Sequence, residues 1–114
     1  PEVLPRVVKW ADLKPGDLAL DHPGSRSFLH VRQSGRAQWR STEDGRLMGC
    51  HTRSEKVAYP LDTIADPDNI AGAWTPQCIL LAHGVKANAK AVLAAYESVK
   101  AAASLLAEKM RSEA

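Results

Sequence analysis

Large aromatic side chains are scarce in this sequence of 114 residues, which holds three Trp, two Tyr and one Phe. A core with so few rings must be built mainly from aliphatic side chains, and hydrophobic residues make up 45% of the chain. That fraction, together with 25% charged residues, is typical of folded globular proteins and excludes wholesale disorder. The length fits one domain with a modest core.

Cysteines and long apolar runs are also scarce. Two cysteines, Cys50 and Cys78, are too few for the disulfide framework of a small secreted domain. Apolar runs such as Cys78 to Ala82 are far shorter than the roughly 20 residues that a membrane-spanning helix needs. The first residues lack the basic and apolar order of a signal peptide. We therefore expect a cytoplasmic protein without a membrane partner.

Motifs for catalysis and for metal or cofactor binding are missing. No pair of His and Cys residues has a zinc-ligand spacing, and the adjacent Cys50 and His51 would point to opposite faces of a strand. No nucleophile signature surrounds Asp21–His22. The loop Pro23–Ser25 lacks the second Gly and the Lys of a phosphate loop. We predict a protein that is not an enzyme and has no cofactor, metal site or catalytic residue.

The first two thirds of the chain contain short candidate strands separated by turn residues. Leu13–Asp17 is predicted to be a turn, because Pro15 presets φ and Gly16 accepts the positive φ of a type II turn. Strands this short, with turns this frequent, favour a small barrel or a strongly bent sheet. The candidate strands cover residues 7–10, 17–21, 28–33, 37–41, 46–51 and 56–60.

The Pro15–Gly16–Asp17 turn, which leads directly into an apolar strand, resembles the opening of small SH3-like and Tudor-like barrels. The resemblance covers about residues 13–60 and implies a small antiparallel β-barrel, but it implies no particular functional residue. We therefore predict an α+β fold, in which residues 1–74 form the β-barrel domain with an N-terminal arm. In its core we expect Trp10, Leu18, Leu20, Val31, Trp39, Val57 and Leu61.

Residues 75–114 are predicted to form a helical segment. Thr75 is a suitable cap, Pro76 suits the first helical position, and Trp74 is placed to pack onto Ile79. From Val85 onward the sequence has no Gly or Pro and is rich in strong helix formers. We expect one long helix, or a short and a long helix that are separated at Gly84.

Apolar residues recur in this segment at alternating steps of four and three, which is a heptad seam. One helix over residues 85–113 would be about 43 Å long, whereas a domain of 75 residues is roughly 30 Å across. A projecting seam needs a partner, so we predict a homo-oligomer or a complex with another protein. The alternative is an amphipathic helix packed on its own domain. The predicted protein interface comprises Val85, Ala89, Val92, Tyr96, Val99, Ala103, Leu106 and Met110.

A basic cluster within residues 22–58 indicates a different function. Small barrels bind nucleic acid by combining Arg–phosphate contacts with an aromatic platform for bases, and Trp39 lies between two arginines. The alternative is that Trp39 belongs to the core and the arginines form a solvated face. The residues predicted to bind nucleic acid are Arg32, Arg36, Trp39, Arg40 and Arg46.

The function that the sequence favours is a non-catalytic interaction or assembly protein that associates through its C-terminal helix. Nucleic-acid binding by a small barrel is the alternative. The high content of Ala and Arg is common in GC-rich genomes, such as those of actinobacteria and their phages. This composition concerns the origin of the chain and not its function; a phage or mobile-element accessory protein is one kind of interaction protein that we consider.

Overall fold

The computed structural model describes residues 2–22, 24–48, 59–60 and 77–113. These ranges contain six strands, two α-helices and a 3-10 turn at Trp10–Asp12. The strands are β1 Arg6–Lys9, β2 Leu18–Leu20, β3 Ser27–Val31, β4 Arg36–Ser41, β5 Tyr59–Pro60 and β6 Gln77–Ala82. The helices are α1 Ala89–Glu97 and α2 Lys100–Ser112. None of the helices in the described ranges is long and apolar enough to cross a membrane.

The strands form one antiparallel sheet in the order β1-β6-β2-β3-β4-β5. In the described part of the chain, β1 and β5 lie at the two edges and do not pair with each other, so the sheet is open. The prediction of an α+β fold is confirmed. The prediction of an SH3-like barrel is not, because a barrel requires the edge strands to pair.

The turn before β2 has the predicted form. Gly16 has a φ of +90°, which a side chain at this position would disfavour. The backbone N–H of Asp17 donates to the carbonyl of Lys14 over 3.0 Å, which closes the turn. One carboxylate oxygen of Asp17 also accepts the Lys14 backbone N–H over 2.9 Å. These two hydrogen bonds fix Asp17, which directly precedes β2. Its second carboxylate oxygen, Oδ1, is available for a further contact.

Strand β6 corrects the prediction of a helix that begins at Thr75. Residues Gln77–Ala82 lie between β1 and β2, and Cys78–Leu81 are buried. A strand that is covered on both faces is apolar at consecutive positions, and such a short run cannot be distinguished from a helix by periodicity. Trp74, Thr75 and Pro76, on which the helix prediction depended, lie outside the described residues.

Buried side chains alternate between the two faces of the sheet. Leu18 and Leu20 pack with Phe28, Ile79 and Leu81 in one cluster, which the two helices cover. Their strand neighbours, such as Ala19, Leu29 and Leu80, belong to a second cluster on the opposite face. The second cluster also contains Val8, Trp10, Leu13, Val31, Ala37 and Cys78, and Leu4 and Trp39 pack against it.

Most of the predicted core residues that the structure describes are buried. Trp10, Leu18, Leu20 and Val31 are buried, which confirms these predictions, and Trp39 is partly buried. Val57 and Leu61 lie outside the described residues. The predicted strand over residues 46–51 is represented by one isolated bridge between Arg40 and Leu47, and its last residues are likewise not described.

The C-terminal segment contains two helices with a break at Ser98–Val99, rather than one continuous helix or a break at Gly84 alone. Asn88 begins α1, and its side-chain oxygen accepts the backbone N–H of Ala91 over 2.8 Å. The backbone of Val99 is not helical, with φ −129° and ψ 8°. The longer helix, α2, has 13 residues and is therefore about 20 Å long.

Candidate functional site

The seam that the sequence analysis predicted as a protein interface lies against the protein's own sheet. Val92 and Ala103 are 0% and 1% exposed. Ala89 is half-buried. The remaining members are partly buried against the cluster that contains Phe28 and Ile79: Val85, Tyr96, Val99, Leu106 and Met110.

The contacts of Tyr96 illustrate how this seam is used within the domain. Its ring packs edge-on against Phe28 with a centroid distance of 4.9 Å, and the ammonium of Lys100 lies 5.7 Å from the centre of the ring. The predicted projection of the seam is wrong, because the break at Ser98–Val99 lets both short helices fold onto the sheet. The amphipathic pattern is explained by packing within the chain.

The outer face of α2 presents a different set of side chains to solvent. We define this outer face as Ala101, Ala102 and Leu105, which are all exposed. Leu105 is 67% exposed and is a large hydrophobic residue. The two alanines precede it by four and three residues, so they are its neighbours on the helix surface. Leu105 therefore projects from the helix beside two small side chains on the preceding turn.

Two of the five residues predicted to bind nucleic acid are engaged inside the fold. The indole N–H of Trp39 donates to a carboxylate oxygen of Asp21 over 3.2 Å, and the ring contacts Trp10 edge-on at 6.1 Å. Arg40 is 4% exposed. Its guanidinium donates to the carbonyls of Gly45 and Ala87, over 2.9 and 3.1 Å.

The other three arginines of that prediction reach the surface to different degrees. Arg36 and Arg46 are exposed, and Arg32 is half-buried. Arg46 forms an ion pair of 2.6 Å with Asp44. The structure therefore does not assemble the predicted combination of Trp39 with Arg40 on one solvated face, because β4 directs Arg40 towards the face that the helices cover, opposite Phe28.

Charged side chains from four parts of the chain meet at a cluster that the sequence analysis did not identify. Nδ1 of His83, just after β6, lies 2.6 Å from Oδ1 of Asp17. Nε2 of His83 lies 2.6 Å from Oε2 of Glu2, in the segment before β1. Oε1 of Glu2 accepts hydrogen bonds from Arg6 at Nε, over 2.9 Å, and at Nη2, over 2.7 Å. We call these four residues the His83 cluster.

The His83 cluster changes the protonation of two of its members. The hydrogen bond with Asp17, followed by that with Glu2, raises the pKa of His83 above its usual value. The hydrogen bond from Arg6, followed by that from His83, lowers the pKa of Glu2. These contacts therefore favour the imidazolium form of His83 and the carboxylate form of Glu2.

The His83 cluster lies in an open cleft of about 700 Å³ on the face of the sheet opposite the helices. Carboxylate support at Nδ1 is the arrangement that orients a catalytic histidine, but here Nε2 is also occupied by Glu2. Serine, threonine and cysteine do not occur among the described residues that line the cleft. The geometry is that of a site that holds a carboxylate.

Two further titratable groups have shifted pKa values. Burial raises the pKa of the Cys78 thiol to about 12, so the thiol stays protonated and unreactive. Burial also raises the pKa of Asp21, although hydrogen bonds from Trp39 and Ser27 oppose this effect. In the described ranges no group of three His, Cys, Asp or Glu side chains could hold a metal ion. Cys50 and His51 lie outside those ranges.

Sequence reasoning missed the His83 cluster because its members are distant in the chain. His83 is 66 residues from Asp17 and 81 residues from Glu2. The cluster forms only because β6 lies between β1 and β2, and β6 was predicted as helix. Correct assignment of the run Cys78–Ala82 as a central strand was the one signal that could have placed His83 beside the turn at Asp17.

Comparison with known proteins brings no further information on this site, since no family model, no curated protein and no solved structure matches the chain.

Proposed function

We propose that the protein is a non-catalytic interaction protein that associates through the outer face of α2. The observation that carries the proposal is Leu105, which is 67% exposed on that face beside two exposed alanines. Burial of a leucine side chain by a partner contributes about 1.5–3 kcal/mol. Small residues next to it allow a second helix to approach closely.

The proposed interface lies on the outer face and not on the heptad seam, because the seam side chains already pack against the protein's own sheet. Val92 and Ala103 have almost no surface left for a partner. The prediction of association through the C-terminal helix is kept, but the residues that would make the contact are Ala101, Ala102 and Leu105. The simplest partner is a second copy of the chain, whose α2 would lie against the first.

The chemistry of the buried and clustered groups supports a non-catalytic function. The thiol of Cys78 is buried and protonated. Both nitrogens of His83 are engaged by carboxylates, and the described lining of its cleft contains no nucleophile. An accessory component of a larger assembly, in the cytoplasm and encoded by a phage or another mobile element, is the proposed setting for such a protein.

The proposal predicts that Leu105→Glu disrupts self-association. The parent chain should have a mass greater than one chain by light scattering at high micromolar concentration, and Leu105→Glu should have the mass of one chain. Ser104→Glu is the matched control, because it adds the same charge at an exposed neighbouring position outside the outer face. A monomeric parent, or equal masses for the parent and Leu105→Glu, would contradict association through this face.

Nucleic-acid binding is retained as the second candidate on the basis of one observation. Arg32 and Lys86 line a cleft of about 350 Å³, and the described residues around it include no Asp or Glu. A phosphate group would be attracted to such a cleft. This candidate is less favoured because Trp39 and Arg40, the proposed base platform and its neighbour, have partners within the fold.

A further inference from the structure

We infer that Arg6 and His83 form a carboxylate-binding site, which Glu2 fills within the chain and which an acidic side chain of a partner protein can fill in its place. This inference goes beyond the proposed function. The site lies on the sheet face opposite the helices, so it does not depend on association through α2.

The contacts of Glu2 define what the site recognises. Each oxygen of the Glu2 carboxylate has its own cationic partner, Arg6 at Oε1 and His83 at Oε2, with distances of 2.6 to 2.9 Å. Charge-assisted hydrogen bonds of this length are the strong class, and a planar carboxylate fits the two donors. An acidic side chain from another protein would present the same group.

The donor at His83 is held in place without Glu2. Asp17 is 3% exposed and is fixed by the backbone N–H of Lys14. Its other oxygen orients the imidazole through Nδ1. Only an imidazolium carries N–H groups at both nitrogens, and Asp17 favours that form because it raises the pKa of His83. Nε2 therefore continues to offer a proton when Glu2 leaves.

Glu2 can leave the site without disruption of the sheet. It lies in the segment before β1, whose pairing with β6 begins at Arg6 opposite Leu80. The side chains of Arg6 and His83 are 51% and 47% exposed, so an incoming group can reach them. A partner must compete with a tethered carboxylate whose effective concentration is on the order of millimolar.

The charges around His83 favour an anion once Glu2 has left. The cleft that contains His83 is also lined by Asp12 of the 3-10 turn, by Lys14 and Asp17 of the turn before β2 and by Arg6 of β1. With His83 protonated, three cations then face two carboxylates. Because the site needs the imidazolium, occupancy by a carboxylate should fall as the pH rises through the pKa of His83.

The test is an NMR titration of the full chain with sodium acetate, with sodium chloride added to keep the ionic strength constant. The readout is the imidazole resonances of His83. We expect Glu2→Gln to bind acetate more tightly than the parent, because the tethered competitor is removed, and by about tenfold where the effective concentration of Glu2 is about ten times the dissociation constant of acetate. Glu43→Gln, which removes an exposed carboxylate elsewhere, is the matched control and should behave like the parent.

Further variants assign the site to its two donors. In the Glu2→Gln background, Arg6→Gln should abolish the acetate-dependent shift, and Arg6→Lys should restore it only in part, because lysine lacks the planar fork. An oligo-glutamate peptide should shift the same resonances, and an oligo-glutamine peptide should not. Circular dichroism checks that each variant is folded. Leu105→Glu should leave the acetate titration unchanged, so that failure of the contact through α2 can be distinguished from failure of the carboxylate site.

Two outcomes would overturn the inference. One is an unshifted His83 in Glu2→Gln at high millimolar acetate, which would mean that the contact only ties the N-terminal segment to the fold. The other is equal binding of acetate by the parent and by Glu2→Gln, which would mean that Glu2 does not occupy the acetate site.

Discussion

His83 makes stability depend on pH in a direction that the structure fixes. Its folded-state pKa is raised above the ordinary value of 6.5, chiefly by Asp17. The native state therefore binds this proton more tightly than the unfolded chain, and the stabilisation is complete below about pH 6.5 and is lost as the pH rises through the raised pKa. The effect of Glu2 on stability has the opposite sign, because its pKa is lowered from 4.5 in the folded state. Its stabilisation is present above about pH 4.5 and is lost as the pH falls through the lowered pKa.

We predict that His83→Gln removes this pH dependence. Denaturant unfolding should show that the parent loses stability relative to His83→Gln as the pH rises above 6.5 and through the raised pKa of His83. The buried Asp21 also has a raised pKa, but it is present in both proteins and its effect cancels in the comparison. Parallel pH profiles for the parent and His83→Gln would refute the contribution of His83.

Single residues also explain why the arginine cluster was misjudged. The sequence establishes that Arg40 follows Trp39, but it does not establish which face of the sheet each side chain occupies. The register with β3 pairs Arg40 with Phe28, so its side chain lies on the sheet face that the helices cover. There its guanidinium donates hydrogen bonds to the carbonyls of Gly45 and Ala87. Partners separated by 47 residues, such as Arg40 and Ala87, leave no local pattern in the sequence.

The elements of the sheet were predictable where turn residues delimit them. β2, β3 and β4 lie within two residues of the expected ranges 17–21, 28–33 and 37–41. β6 was not predictable in the same way, because a strand with neighbours on both sides loses the alternation of apolar and polar residues. The break between α1 and α2 also has no Gly or Pro to mark it.

The two helical faces should respond differently to the same substitution. Val92 is 0% exposed in the cluster under the helices, so Val92→Glu places a charge in the core and should lower the free energy of unfolding by more than about 4 kcal/mol. Leu105→Glu adds the same charge on the outer face and, measured at a protein concentration at which the parent is monomeric, should change it by less than about 0.5 kcal/mol.

Thermal and denaturant melts of both variants measure this difference. If Val92→Glu is as stable as Leu105→Glu, the seam is not packed on the sheet, and the projecting seam expected from the heptad pattern would regain support. If Leu105→Glu is the more destabilised of the two, the outer face of α2 is covered within the chain and cannot be the proposed contact.

For the whole molecule, a formal net charge of +2 gives little long-range attraction for nucleic acid. The fold also disperses the predicted binding residues, since Arg36 and Arg46 remain exposed while Arg40 turns inward. We therefore predict that binding of the parent to DNA or RNA at physiological salt is no tighter than the non-specific range of about 10⁻⁴ to 10⁻⁶ M.

Fluorescence anisotropy with a labelled oligonucleotide over a range of salt concentrations tests this prediction. If the arginines bind phosphates, replacement of Arg32, Arg36 and Arg46 by Gln should reduce the salt slope by about one unit for each phosphate that is no longer neutralised. Replacement of Lys90, Lys100 and Lys109 by Gln is the control, because it removes the same charge from the helices. Diffuse electrostatic attraction would be weakened equally by the arginine and the lysine substitutions. A submicromolar complex with the parent that only the arginine substitutions weaken would therefore make nucleic-acid binding the preferred function.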